Sequence, residues 1–286
     1  MVTSLRIWKL SGVKESNPEP LVFDVEVNSL DQATRLLPDG AYTTFRTFGK
    51  SHILRFGDHL QRLEETARLA GVPLELDRLA VTSGLRAALE DFSAEEARVR
   101  MSIDLTVDPG MLYLMLEPLH APQEKDYLTG VRVVTRRMQR ENPKAKLTAF
   151  IATADEIRHA LPEGINEAVM IGADGRALEG LSSNFFGVKD GVIWTAEEGV
   201  LSGITRTLAL EVIRARGLPL RLEGVRAEEL ASLDEAFITS ASRAVLPVVE
   251  IDGQRLGSGQ PGPVTQVVLA GYRERIESEL ESLQPA

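Results

Sequence analysis

Three Asp-Gly pairs, at 174–175, 190–191 and 252–253, each follow an apolar run, and no other feature narrows the fold as much. Both residues tolerate the left-handed backbone of a tight turn, so Asp-Gly between strand-like segments is a strong hairpin signal. The runs around them read as strands at 131–135, 168–172, 185–188, 192–195, 236–239 and 248–251. Upstream, residues 40–56 read as a hairpin turning at Gly49-Lys50. A helix follows over about 58–70, N-capped by Asp58 and ended by Gly71-Val72-Pro73. The spacing predicts a second helix over about 77–90, with Leu79, Leu85 and Leu89 on one face. Strand-like runs at 98–107 and 111–116 flank an Asp108-Pro109-Gly110 turn. Further helices fit about 148–160, 204–217 and 263–283.

Strands clustered in hairpins, with helices between the clusters, predict an α/β chain of the α+β type rather than a doubly wound parallel sheet. Residues 117–130 lose periodicity and carry two prolines. They predict an N-terminal domain over 1–119, a connection over 120–130 and a C-terminal domain over 131–286. No glycine-rich phosphate fingerprint follows a strand, which argues against a Rossmann or P-loop site.

Composition removes several function classes. The chain of 286 residues is 43% hydrophobic and 26% charged, which excludes wholesale disorder. Its formal net charge of −10 argues against nucleic acid as the partner. With no cysteine there is no thiolate chemistry, and the four histidines (His52, His59, His120, His159) lack metal-ligand spacing. No apolar run approaches the roughly 20 residues of a bilayer span, and the N-terminus lacks a signal-peptide pattern. The expectation is a cytoplasmic enzyme or binding protein without a structural metal. Only seven of the basic residues are lysines, so lysine chemistry has few candidates.

Four segments carry chemical potential. Arg62 lies in Asp58-His59-Leu60-Gln61-Arg62-Leu63, where its bland reading is a surface arginine whose stem covers the core. Lys144 and Lys146 stand just before a predicted helix, the electrostatically unfavourable end for a cation. Either that helix starts later or one lysine has a task. Glu179-Gly180-Leu181-Ser182-Ser183-Asn184 is a tight polar loop between apolar strands. Leu201-Ser202-Gly203-Ile204-Thr205-Arg206 opens a helix, where exposed N–H groups can hold an anion. Together they offer what pyridoxal 5′-phosphate needs: a lysine for the Schiff base, an arginine and helix start for phosphate, and a carboxylate for the pyridinium nitrogen.

In these segments, and in GAYTTFR and FITSASRAVLPVVEIDG, the chain resembles the class IV, fold-type IV pyridoxal-phosphate enzymes. These include branched-chain and D-amino-acid aminotransferases and aminodeoxychorismate lyases. The resemblance implies two α/β domains with the cofactor between them, and a homodimer. It implies that Arg62, Ile204, Thr205 and Ser240 hold the phosphate, that Glu179 partners the ring nitrogen, and that Ser183 and Asn184 belong to the cofactor site. In the family the lysine precedes a small polar residue and then an aromatic about four positions on. Phe150 fits Lys146, which also precedes Glu179 by 33 residues, so the resemblance selects Lys146 over Lys144.

Branched-chain members line the substrate pocket with aromatics, and this chain is only 5% aromatic. Tyr42 is one of few candidates. Arg98 and Arg100 alternate along one strand face, and Arg243 follows the serine-rich segment without an acidic sequence neighbour. Arg243, with Arg100, is therefore expected to hold a substrate carboxylate. The function expected is an aminotransferase acting on an amino acid and a 2-oxo acid. The alternative within the family is a lyase releasing pyruvate and 4-aminobenzoate from aminodeoxychorismate. A non-catalytic binding protein on the same scaffold is the reading from another class.

Overall fold

The computed structural model describes residues 5–284. In chain order its elements begin β1 (Arg6–Ser11), β2 (Glu19–Pro20), α1 (Leu30–Arg35), β3 (Gly40–Phe48), β4 (His52–Leu54), α2 (Phe56–Leu69), α3 (Arg78–Asp91), β5 (Ala97–Asp104) and β6 (Met111–Pro118). They continue α4 (Glu124–Thr129), β7 (Val131–Arg137), α5 (Ala149–His159), β8 (Ile165–Ile171), β9 (Ala177–Gly180), β10 (Asn184–Lys189), β11 (Val192–Trp194), α6 (Ile204–Ala215) and β12 (Leu220–Arg221). After a 3-10 turn come β13 (Glu235–Ser240), β14 (Ala244–Ile251), β15 (Gln254–Arg255), α7 (Pro263–Glu279) and β16 (Leu280–Ser282).

The chain divides into two units. The first runs to His120 and takes in Ala145–Asp155 and the described residues from Glu279 on; the second holds Ala121–Lys144 and Glu156–Ser278. Two segments that the sequence reading places beyond the connection, 145–155 and the C-terminal residues, thus pack with the first unit. The connection itself is not structureless, because α4 forms there with a capping box between Gln123 and Asp126.

The first unit is built on a seven-stranded sheet in the order β16-β4-β3-β5-β6-β1-β2, antiparallel throughout. Helix α2 buries Phe56, His59, Leu60, Leu63, Thr66 and Ala67, the period of one helical face. These apolar side chains pack with Phe45, Val99, Met101 and Leu114 of the sheet. Three sequence expectations change here. Asp58 is not the N-cap: the helix begins at Phe56 behind Arg55, and the Glu281 carboxylate accepts the Gly57 N–H at 3.0 Å. The last helix stops at Glu279, because 280–282 pair with β4 as a strand. Leu79 does not share a buried face with Leu85 and Leu89; it is 83% exposed, and Val81 takes the inward position.

The second unit is a nine-stranded mixed sheet in the order β12-β11-β10-β13-β14-β7-β8-β9, with β15 on β14. Strand β9 pairs with β8 and also with β10, so six strands close on themselves. Closure removes the exposed edges that open sheets must protect. Alternate residues point inward, Val169 and Ile171 on β8, Ala236 and Ile238 on β13, Leu246 and Val248 on β14. Phe186 and Phe237 stack on the other face at 4.6 Å, also buried. Burial on both faces explains why these strands read as unbroken apolar runs. All three Asp-Gly pairs turn between antiparallel strands: Asp190-Gly191 and Asp252-Gly253 with positive φ at both residues, Asp174-Gly175 with positive φ at the glycine alone. Among the described residues no helix is long and apolar enough to cross a membrane.

The two leucines give a direct check. Leu63→Ala removes a side chain with no exposure and should cost about 2–5 kcal/mol in urea unfolding. Leu79→Ala should change stability by less than about 0.5 kcal/mol.

Candidate active site

In the first unit a short rung fixes Lys146. Tyr42 N–H donates to the Lys146 carbonyl at 2.9 Å, and Lys146 N–H donates to Thr66 Oγ1 at 3.3 Å. Gly40 and Thr148 exchange two further bonds, each 2.9 Å, and Ala41 bridges Leu147. Residues 145–148 therefore run beside the start of β3, and α5 begins only at Ala149. Lys146 thus lies before the helix, in the segment that runs beside β3. Its Nζ sits 4.7 Å from the centre of the Tyr42 ring. Lys144 differs: its side chain is 68% exposed and pairs with Glu198 at 3.5 Å.

Helix α2 presents His59, Arg62 and Thr66 at helical spacing, so all three share one face. His59 is buried, and its Nδ1 lies 2.6 Å from Thr43 Oγ1. Burial, then the charges of Arg62 and Lys146, hold its pKa well below 6.5. His59 is a site residue the sequence reading did not single out, although its spacing of three from Arg62 was available. Tyr42 is buried as well, with the Arg100 guanidinium 5.2 Å from its ring centre.

In the second unit the closing strand β9 carries Glu179, which is 2% exposed. Two hydrogen bonds reach one oxygen of its carboxylate, from Asn184 Nδ2 at 3.1 Å and the Leu201 N–H at 3.1 Å, and the Arg140 guanidinium forms an ion pair with the other at 2.9 Å. Asn184 also donates to the Leu201 carbonyl at 2.8 Å, tying β10 to the loop before α6. Arg140 reaches the Leu181 carbonyl at 3.2 Å. Nothing in the periodicity of its segment marked Arg140. Arg206 braces the same loop before α6 through Ala196 O and Glu197.

Gly203 is the N-cap of α6 and offers its first N–H groups no side-chain acceptor. A Cβ on Gly203 would meet Asn184 Oδ1 at 2.1 Å, so glycine is required by close approach. Ile204 and Thr205, both buried, open the helix, and such a terminus suits an anion. Ser183 donates to Glu167 at 3.1 Å, and Ser240 Oγ accepts from Arg243 at 3.0 Å.

The structure supplies partners that the sequence did not show for the two arginines. Arg243 has an acidic partner after all: buried Glu167, distant in sequence, lies 2.8 Å away. Arg100 pairs with Asp31 at 2.7 Å and donates to Thr34 at 2.9 Å. Both guanidiniums thus have protein carboxylates, and neither needs one from a substrate to offset its burial. Arg98 pairs with Glu117. Among the described residues no cluster of acids and histidines could hold a metal ion.

The depressed His59 pKa fixes the sign of a pH effect. Above 6.5 the imidazole is neutral in both states; below it the unfolded chain binds a proton that the folded chain resists. Stability should therefore fall as pH drops from about 7 toward 5.5, and His59→Gln should flatten that slope in thermal unfolding.

The sequence model of class IV aminotransferases matches residues 40–251. A D-alanine aminotransferase of Bacillus licheniformis is 30% identical over 266 residues, covering 84% of this chain and 89% of its own. A branched-chain-amino-acid aminotransferase of Pseudomonas aeruginosa is 27% identical over 247 residues, 80% of each chain. In fold, the chain matches the branched-chain aminotransferase of the thermophilic archaeon Thermoproteus uzoniensis, solved with norvaline. The TM-score is 0.74, at 26% identity, covering 98% of this chain and 99% of the other. The family match spans most of the chain, and Lys146, Arg62, Glu179 and the start of α6 all fall within it: the protein belongs to the class IV aminotransferases.

Proposed function

We propose that this protein moves an amino group between an amino acid and a 2-oxo acid, using pyridoxal 5′-phosphate. The family match over residues 40–251 carries this reading. Class IV aminotransferases depend on that cofactor, and the residues here fit it. Glu179 is a buried carboxylate with donors already in place, and Gly203 leaves the α6 terminus without a side-chain acceptor. When bound, the cofactor supplies an aldehyde that joins an amine and a ring that accepts electrons released from the substrate Cα.

Lys146 provides the amine that holds the cofactor and then carries the proton from the substrate Cα. Its backbone is fixed on both sides, which supports it over the surface-exposed Lys144. Arg62 and the N–H groups of Ile204 and Thr205, with Ser240, hold the phosphate. Glu179 keeps negative charge at the ring nitrogen, and Ser183 and Asn184 act by fixing the loop around it. Tyr42 bounds the substrate side beside Lys146. The relatives are named aminotransferases, which does not favour the lyase alternative. A homodimer follows from the family resemblance and belongs to the same proposal.

Borohydride reduction of the protein with its cofactor, followed by peptide mass mapping, tests the lysine. The pyridoxyl mass should fall on Lys146. Lys146→Ala should lose both the label and the visible absorbance, while Lys144→Ala keeps them. A label on Lys144 would overturn the assignment.

A further inference from the structure

Glu167 on β8 is 1% exposed, and the proposed reaction gives it no task. Its Oε2 accepts from Arg243 Nη2 at 2.8 Å, Ser182 Oγ at 2.9 Å, Ser183 Oγ at 3.1 Å and Ser182 N–H at 3.2 Å. Burial pushes its pKa up, but the charge and hydrogen bond of Arg243, with Ser182, outweigh this and carry it below 4.5. Arg243 spends every nitrogen of its fork. Nη2 also donates to the Ser182 carbonyl and hydroxyl at 3.2 and 2.8 Å, Nη1 to Asn166 Oδ1 at 3.0 Å, and Nε to Ser240 Oγ at 3.0 Å.

These partners are not spread through the sheet. They lie at the loop 180–183, at the tip of the β13–β14 hairpin, and at the start of β8 beside them. The hairpin pairs Ser240 with Ala244, so only three residues form its tip. Ala244 has φ of +53°, a conformation that a residue with a Cβ rarely adopts. A tip with an unfavourable backbone needs an outside tether, and Arg243 supplies one. On the loop side, a Cβ at Gly180 would meet Ser183 Oγ at 2.3 Å and Glu167 Cγ at 2.8 Å, so this loop is folded tightly onto Glu167.

We propose that buried Glu167 and half-buried Arg243 form a charged latch that fixes the loop 180–183 to the tip of the β13–β14 hairpin, and thereby sets where Ser183 and Ser240 stand. Arg243 is then a positioning residue. This rests on the proposed function, which places both serines at the cofactor. A lysine cannot replace the latch, because a single ammonium cannot reach Glu167, Ser182, Asn166 and Ser240 together. Removing one charge strands the other in a buried site, so the informative variant removes both.

The test uses Glu167→Gln/Arg243→Met, with Arg243→Lys beside it. In the cofactor-free protein, amides of 180–183 and 241–243 should exchange hydrogen at least about tenfold faster than in wild type, while those of β10 and β13 keep their protection. Affinity for pyridoxal 5′-phosphate should fall at least about tenfold, and that for pyridoxal, which lacks the phosphate, by less than about threefold. Arg243→Lys should show the same split in smaller measure. Unchanged loop exchange would overturn the latch. Faster exchange through the whole sheet, or an equal loss for both ligands, would reduce the pair to fold support and overturn it too. If wild type takes up no pyridoxal 5′-phosphate, the proposed function fails, and loop exchange still decides the latch.

Discussion

A carboxylate buried to 2% exposure persists only where partners replace its lost water, and Glu179 gathers two hydrogen bonds and an ion pair from separate segments. Arg140 comes from the stretch after β7, Asn184 from β10, and the Leu201 N–H from the loop that leads into α6. One side chain therefore fixes the positions of three segments. The same contacts set the entrance of α6, since Asn184 reaches the Leu201 carbonyl while Gly203 packs against its amide oxygen. The start of α6 and the carboxylate are thus parts of one hydrogen-bonded arrangement. Removing any one partner would leave buried charge or dipole uncompensated, which costs far more than an exposed pair.

Charge pairing recurs at other buried or half-buried guanidiniums. Arg243 answers Glu167, Arg100 answers Asp31 and Arg206 answers Glu197. Cation and anion in these pairs are far apart in the chain, except Arg206 and Glu197. The Arg243 and Arg206 pairs constrain a hairpin tip and a loop that the strand ladders alone leave undetermined, and the Arg100 pair ties α1 to β5. On α2 the charges of Arg62 and of nearby Lys146 act on buried His59. Burial and the two cations keep His59 neutral, which avoids a third positive charge on that face of α2.

Much of this was legible in the sequence because it was local. Asp-Gly turns, strand periodicity and the helical spacing of Leu60, Leu63 and Ala67 depend on neighbours a few residues away, and the structure follows them. The errors share one cause. Asp58 looked like an N-cap because Glu281, which occupies the start of α2, lies at the far end of the chain. Arg243 looked unpartnered because Glu167 is on another strand. Residues 280–282 continued a helical pattern until pairing with β4 offered a better use of their backbone. Arg140 gave no local signal at all; its task exists only once β9 brings Glu179 to it. Composition left seven lysine candidates, their positions along the chain reduced these to Lys144 and Lys146, and resemblance then favoured Lys146.

The central claim is that Glu179 acts as a charge and not as a turn residue. Glu179→Gln tests it most directly, because the amide keeps the shape and its oxygen can still accept from Asn184 and Leu201, while the negative charge facing Arg140 is removed. The account predicts an unchanged circular dichroism spectrum, with removal of the substrate Cα proton, followed by single-turnover absorbance, slowed by several orders of magnitude. Single-turnover rates close to wild type would contradict it.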